Sequence, residues 1–161
     1  VAKIEIITGW DAALAHWVGQ NLEMPVGADC VSLGFADGPE LLAAVVYHNL
    51  IWPNIEGSIF STSPRWANRR TLFACFYHPF IAMRCQRFGA IAAVANQPSR
   101  AFLCRLGFQL EGTARQAVLH QGKVCDAEIY GMPPHECRWL GRLRPPAPEL
   151  TAEGASEAAA D

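Results

Sequence analysis

The stretch from Phe88 to Ala95 constrains the fold of this chain more than any other. It is eight residues of Phe, Gly, Ala, Ile and Val, with no charge and no alternating polar position. A strand of that kind is covered on both faces, which antiparallel hairpin strands rarely are. It therefore sits inside a sheet with helices packed above and below, the arrangement of α/β proteins. Its flanks agree. Ile55 to Ser61 reads as a strand. After the turn signal Ser63-Pro64, apolar residues recur at three- and four-residue steps through Trp66, Phe73, Phe76, Tyr77 and Phe80. Strand, helix and strand in that order make one parallel crossover. Pro79 lacks an amide hydrogen and clashes with the carbonyl four residues back, so this helix bends or stops near His78.

The remaining chain adds antiparallel pieces. Lys3 to Thr8 alternates and is β-branched, and predicts a strand. Gly9 breaks it, and Asp11 caps a helix through Leu22, with Leu14, Trp17 and Val18 on one face. Pro25 to Asp29 is a loop. Cys30 to Phe35 and Leu41 to Leu50 are strands joined at Asp37-Gly38, a tight-turn pair. Asn96-Gln97-Pro98-Ser99 opens a short helix that Gly107 ends. Phe108 to His120 and Val124 to Met132 form a closing hairpin through Gln121-Gly122. The expected order is β-α-β-β-β-α-β-α-β-β, a mixed sheet of about seven strands with helices on both faces. Residues 1–143 form one domain. Residues 144–161, rich in Pro, Ala and Glu without aromatics, are expected to be a disordered tail.

Composition removes several function classes. With 161 residues, 51% apolar and 17% charged, the chain is globular and long enough to bury a core without staples. A formal charge of -2 gives no global basic field for nucleic acid or an anionic membrane. No apolar run reaches the ~18 residues that span a bilayer, and no secretory segment precedes the first strand. The six cysteines form no C-x-x-C pair, which argues against a zinc ribbon and for reduced, mostly buried thiols in a cytoplasmic protein. His135-Glu136-Cys137 has metal-capable side chains without a partner cluster, so no metal is expected. His16, His48 and His120 read as structural or exposed.

The run from Asn96 to Gly112 adds a resemblance. Asn-x-x-Ser, a short helix, Leu106-Gly107-Phe108 and then Glu111-Gly112 resemble a signature of the GNAT superfamily of N-acetyltransferases, with Arg115 and the strand Asp126 to Met132 following. This version is similar to the RimJ/RimL-like branch, which acetylates protein N-terminal amines, and to small acetyltransferases of phage genomes. The resemblance implies a GNAT-like fold and acetyl-CoA as cosubstrate. It implies a primary amine acceptor, on a protein N-terminus or a small molecule, and allows a homodimer. The alternative is a GNAT-fold binding or regulatory module without catalysis.

The family holds the coenzyme pyrophosphate on a Gly-rich loop before a helix whose free amides carry about +0.5 charge. The matching segment here is Arg65-Trp66-Ala67-Asn68-Arg69-Arg70. Asn68 and Arg70 replace small residues. Asn68 could take positive φ and make the turn, and Arg70 could meet a phosphate as a bidentate donor. The alternative for the three arginines is a solvated face paired to a nearby carboxylate. Phe60, Ser61, Arg65, Asn68, Arg69, Arg70 and Asn96 are thus the implied coenzyme contacts. Asn96 could instead be a plain helix cap.

Acetyl transfer needs a neutral amine, an oxyanion donor and a proton for the leaving thiolate. A lysine amine of pKa ~10.4 is neutral about once in 2,500 at pH 7, an α-amine of pKa ~7.8 in about one case in seven. Glu56, on the fourth strand, matches a position where some family members place a general base; a solvent-facing carboxylate is the alternative. The tyrosine that many relatives use as general acid is replaced by Leu103, which leaves Ser99, Tyr77, His78 and Tyr130 as candidates. Asp126 and Glu128 could attract a cationic amine or pair with Arg115 across the hairpin.

Overall fold

The computed structural model describes residues 3–27 and 29–149. Seven strands form one sheet: β1 (Glu5–Ile7), β2 (Val31–Asp37), β3 (Glu40–Ile51), β4 (Asn54–Ser61), β5 (Arg87–Ala93), β6 (Gln109–His120) and β7 (Lys123–Met132). Their order across the sheet is β1-β2-β3-β4-β5-β7-β6. The β4–β5 pair is parallel and every other pair is antiparallel. The helices are α1 (Asp11–Leu22), α2 (Arg69–Tyr77) and α3 (Gln97–Leu106). The expected order and the crossover are therefore observed. Of the expected tail, residues 144–149 carry no helix or strand, and 150–161 lie outside the described residues.

Strand alternation sends successive side chains to opposite faces, and β3 shows how that sorts the layers. Ala44 and Val46 meet Leu14, Ala15 and Val18 of α1 on one face. Ala43, Val45 and Tyr47 enter a larger core on the other, with Leu72, Cys75 and Phe76 of α2 and Leu103 and Leu106 of α3. Phe88 of β5 sits at the centre of that core, edge-on to Phe76, Phe80 and Phe108. Phe76 and Phe80 of the aromatic stripe are buried core residues, as a helix face at that spacing should be.

Local signals explain the helix ends. Gly107 closes α3 at φ +106, a left-handed conformation that a Cβ disfavours. Pro79 ends α2 as expected, and the chain continues as one wide turn over His78–Ala82. The expected capping role of Asp11 is not observed: Trp10 holds the N-cap position of α1 with no side-chain bond. The Asp11 carboxylate instead accepts the Ser32 amide of β2 at 2.6 Å. The helix therefore starts where the sheet anchors it, rather than where a local cap does.

The parallel pair is short. Asn54, Ile55 and Glu56 register with Arg87, Phe88 and Gly89, and the pairing stops there. Beyond it, Gly57–Ser61 stays bonded to β3 and Ala90–Ala93 to β7. The two strands splay into a V whose apex is Glu56 and Gly89. Phe88 wedges the apex, since a Cβ on Gly57 would lie 2.5 Å from its ring.

Candidate active site

The V opens toward the carboxyl ends of β4 and β5, the end where α/β sheets bind ligands. α2 starts after β4 and α3 after β5, so two helix N-termini flank the opening. Their first turns are built differently.

At α2, Asn68 is the N-cap, with φ -111 and ψ 171. The positive-φ turn expected of it does not form. Its Oδ1 accepts both the Arg70 and Thr71 amides, at 3.0 and 3.2 Å, and the Thr71 hydroxyl accepts the Asn68 amide in return. This capping box occupies amides that a phosphate would otherwise use. Arg65 is also committed. Its guanidinium donates to Asp37 at 2.9 Å and to Glu40 at 3.0 Å across the β2–β3 turn. Arg70 donates to the Ile4 carbonyl at 2.8 Å, tying α2 to the first strand. Among the described residues, only Arg69 of the three keeps its guanidinium without a bonded partner. Arg65 and one nitrogen of Arg70 are thus held by carboxylates and a carbonyl remote in sequence.

At α3, the Asn96 Oδ1 accepts the Ser99 amide at 3.2 Å, which makes it a cap. Its Nδ2 bonds to none of the described residues, so capping and a donor role coexist. Ser99 is half-buried and is one residue from Arg100, which organises this turn. Arg100 donates to both Glu128 oxygens, at 2.6 and 2.8 Å, to the Val94 carbonyl and to the Gln97 side chain. The Tyr130 hydroxyl donates to the same Glu128 carboxylate. The Arg100 hydrogen bonds hold Glu128 below the usual carboxylate range. Burial pushes the Tyr130 pKa up, so the hydroxyl keeps its proton, which Glu128 engages. The expected pairing of Asp126 and Glu128 with Arg115 is not observed: Glu128 belongs to Arg100, and Asp126 accepts the Gln116 amide in a bulge of β6. Leu103 is buried core.

On the face of the sheet that carries α1, the apex presents Glu56, Ser58 and, from β3, His48. Glu56 registers with His48. Its Oε2 accepts Asn49 Nδ2 at 2.8 Å and lies 3.9 Å from His48 Nδ1. Asn49 sits at φ +50, in a bulge of the β3–β4 hairpin. His48 Nε2 is 2.8 Å from Ser58 Oγ. Burial lowers the His48 pKa, partly offset by Glu56 and Asn49, so the ring is neutral at pH 7. His48 and Asn49 line a hollow of about 400 Å³ with Met24, Pro25, Asp29 and Leu50. A second hollow of about 280 Å³ continues from it past Cys30, Tyr47 and His78.

Further along β4, Phe60 packs edge-on against Trp17 of α1 at 5.0 Å, and Ser61 is exposed at the strand end. Phe60 therefore offers the V its backbone, not its ring. The last hairpin reaches back over this face. The Glu23 carboxylate, at the end of α1, accepts the Gln121 and Gly122 amides at 2.9 Å each.

His48, Ser58 and Glu23 lie outside the expected site. A signal for His48 exists: a hairpin turning at Trp52-Pro53 brings position 48 opposite position 56. Among the described residues, no group of three His, Cys, Asp or Glu is placed to hold a metal ion, and no helix is long and apolar enough to cross a membrane.

Comparison with known proteins agrees with this architecture. No family model matches the chain. It is similar to the uncharacterized N-acetyltransferase YoaA of Bacillus subtilis, 27% identical over 101 residues. That match spans 60% of the chain and 57% of the relative's length. The fold is that of solved acetyltransferases. A variant of spermidine N-acetyltransferase SpeG from Vibrio cholerae superposes with a TM-score of 0.66, at 13% identity, over 88% of this chain and 99% of that one. The ribosomal-protein-S5-alanine acetyltransferase from Vibrio fischeri superposes with a TM-score of 0.58, at 20% identity, over 78% of this chain and 70% of that one. The chain thus has the seven-stranded mixed sheet of the GNAT-like acetyltransferases.

Proposed function

We propose that this chain transfers an acetyl group from acetyl-CoA to a primary amine. The observation that carries this reading is the V between β4 and β5, which leaves two strand edges facing one gap beyond Glu56 and Gly89. Backbone amides and carbonyls along those edges suit the amide-bearing pantetheine arm, a chain that can add itself as an extended segment. Asn96 Nδ2 supplies a further donor at the mouth. Arg69, with the unshared nitrogens of Arg70, supplies cationic donors for the phosphates. The residues present therefore fit the cosubstrate, through arginine side chains in place of a glycine-rich cradle of amides.

The thioester carbon then lies near the apex, where Glu56 faces the α1 side. Glu56 provides a carboxylate for the acceptor's ammonium group, and the 400 Å³ hollow provides the approach. The acceptor is an amine on a small molecule or a protein N-terminus; the structural relatives' names give spermidine and an alanine of ribosomal protein S5. Leu103 is buried at the usual acid position and Tyr130 is bound to Glu128, so neither protonates the leaving thiolate. The thiolate leaves into solvent at the open end of the V and takes its proton there, with positioning supplying much of the rate. Acetyl-CoA is an intracellular metabolite, so the reading places the chain in the cytoplasm.

Two measurements test it. Titration calorimetry with acetyl-CoA should give saturable 1:1 binding. Thiol release in the presence of spermidine and of an alanine-terminated peptide should exceed release without amine. Absence of binding at millimolar acetyl-CoA defeats the reading. Binding without thiol release against a broad amine panel leaves only a non-catalytic binding module.

A further inference from the structure

We infer that His48 is the group that takes the proton from the acceptor amine, with Glu56 holding the ammonium beside it. This rests on the acetyl-transfer reading and names a residue and a proton path within it. Ser58 has one hydroxyl hydrogen. Ser58 Oγ donates that hydrogen to Met24 Sδ at 3.6 Å. Where Nε2 carries the ring hydrogen, Ser58 Oγ accepts it across their 2.8 Å contact. In a neutral imidazole the other nitrogen is bare. In that tautomer Nδ1 directs a lone pair toward Glu56 Oε2, 3.9 Å away.

Glu56 Oε2 accepts Asn49 Nδ2 and keeps further lone pairs, with Nδ1 beside it. A primary ammonium seated there donates one N–H to each. The position is reachable, because His48 and Asn49 line the larger hollow. It is also at the apex of the V, because Glu56 is the last β4 residue that pairs with β5. Asn49 fixes the carboxylate from the left-handed bulge, and Ser58 fixes the ring. Burial keeps His48 unprotonated at pH 7, as a proton acceptor requires.

One ammonium N–H proton passes to His48 Nδ1, leaving a neutral amine and an imidazolium beside the Glu56 carboxylate. The amine lone pair forms the C–N bond at the thioester carbonyl carbon, and the C–S bond breaks with its electron pair on sulfur. The second nitrogen proton neutralises the thiolate, and the imidazolium returns its proton to water.

The charged groups facing His48 are Glu56 from β4 and Asp29 from the α1–β2 segment, with Cys30 and His78 further along the second hollow. A base works only when unprotonated, so kcat/KM falls as pH drops through the His48 pKa, below the ordinary histidine range. The experiment compares the parent chain with His48→Gln, using spermidine as acceptor. Expected are a loss of about 10²- to 10⁴-fold in kcat, disappearance of that acid limb, and an unchanged acetyl-CoA Kd by calorimetry. His48→Gln within threefold of parent kcat, or with the limb intact, overturns the inference. Should that variant fail to fold, by circular dichroism, Ser58→Ala replaces it. Removing the Nε2–H acceptor frees the ring to change tautomer, and should lower kcat at least tenfold with acetyl-CoA KM unchanged; parent-like kcat overturns the assignment. A parent chain that transfers no acetyl group defeats the functional reading itself, whereas an active parent with indifferent variants defeats only His48.

Discussion

α2 and α3 both begin where a strand of the splayed pair ends, yet one start is sealed and the other is left with an outward donor. Asn68 spends its oxygen on two amides and Thr71 returns the bond, so the first turn of α2 is satisfied by its own side chains. Asn96 spends its oxygen on one amide and keeps its nitrogen free, while the rigidity of the α3 start comes from elsewhere, through Arg100 and Glu128. The comparison separates two ways of presenting a helix start to an anion or a carbonyl. A turn that caps itself offers side-chain charge, here Arg69. A turn held by a remote ion pair offers a cap residue with capacity to spare.

The comparison breaks most severely at Glu128. Glu128→Ala strands the Arg100 guanidinium and frees the Tyr130 hydroxyl, and should lower Tm more than any other change at either helix start, read by calorimetry. The pH dependence has a definite sign. Arg100 depresses the Glu128 pKa, so its contribution is present above the ordinary glutamate value of ~4.3 and is lost as pH falls through the lower folded value. The Tm gap between the parent and Glu128→Gln should therefore close in that acid window and stay constant above it.

Asn68→Ala should cost about 1–2 kcal/mol of unfolding free energy, since it removes a cap that serves two amides. Urea denaturation would show it, with the acetyl-CoA KM little changed. Asn96→Asp should do the converse. The carboxylate still accepts the Ser99 amide, so stability stays within ~0.5 kcal/mol, whereas the lost Nδ2 donor raises the acetyl-CoA KM about fivefold, the size of one neutral hydrogen bond of ~1 kcal/mol. If Asn96→Asp leaves KM alone, Asn96 is a cap and nothing more. Smallest of all is Arg65→Ala. Its partners are surface carboxylates worth ~0–1 kcal/mol, and the acetyl-CoA KM should stay within twofold.

Much of the fold could be read locally because its signals are local. α1 runs Asp11–Leu22 as its periodicity requires, Gly107 takes the left-handed cap, and Pro79 ends α2. The apolar run from Phe88 lies between β4 and β7 as expected, but it is not covered on both faces: Phe88, Ala90 and Ala92 are buried, while Ile91 on the other face is 48% exposed. Apart from the local capping box at Asn68, the pairings that differ from expectation involve a partner distant in the chain. Asp11 turned to Ser32, Arg65 to Asp37 and Glu40, Arg70 to Ile4, and Glu128 to Arg100. A charge pattern says that a partner is needed, and only the packed sheet says which one is within reach. His48 is the same lesson in reverse: an isolated histidine in sequence acquires Glu56 and Ser58 only once the β3–β4 hairpin has its register.

The strand order at the right-hand side of the sheet bears on how the chain is made. β7 lies between β5 and β6, although it is the last of the three to be synthesised. While the chain emerges, β5 has only its three-residue parallel register with β4 to hold it. Its antiparallel partner arrives when residues 127–132 do, and β6 has no place in the sheet before then. The first four strands can pair in sequence as they appear. The V, the α3 start and the Glu128 tie all wait for the final strand, so a nascent chain stopped before β7 would hold the α1 side of the site and none of the other.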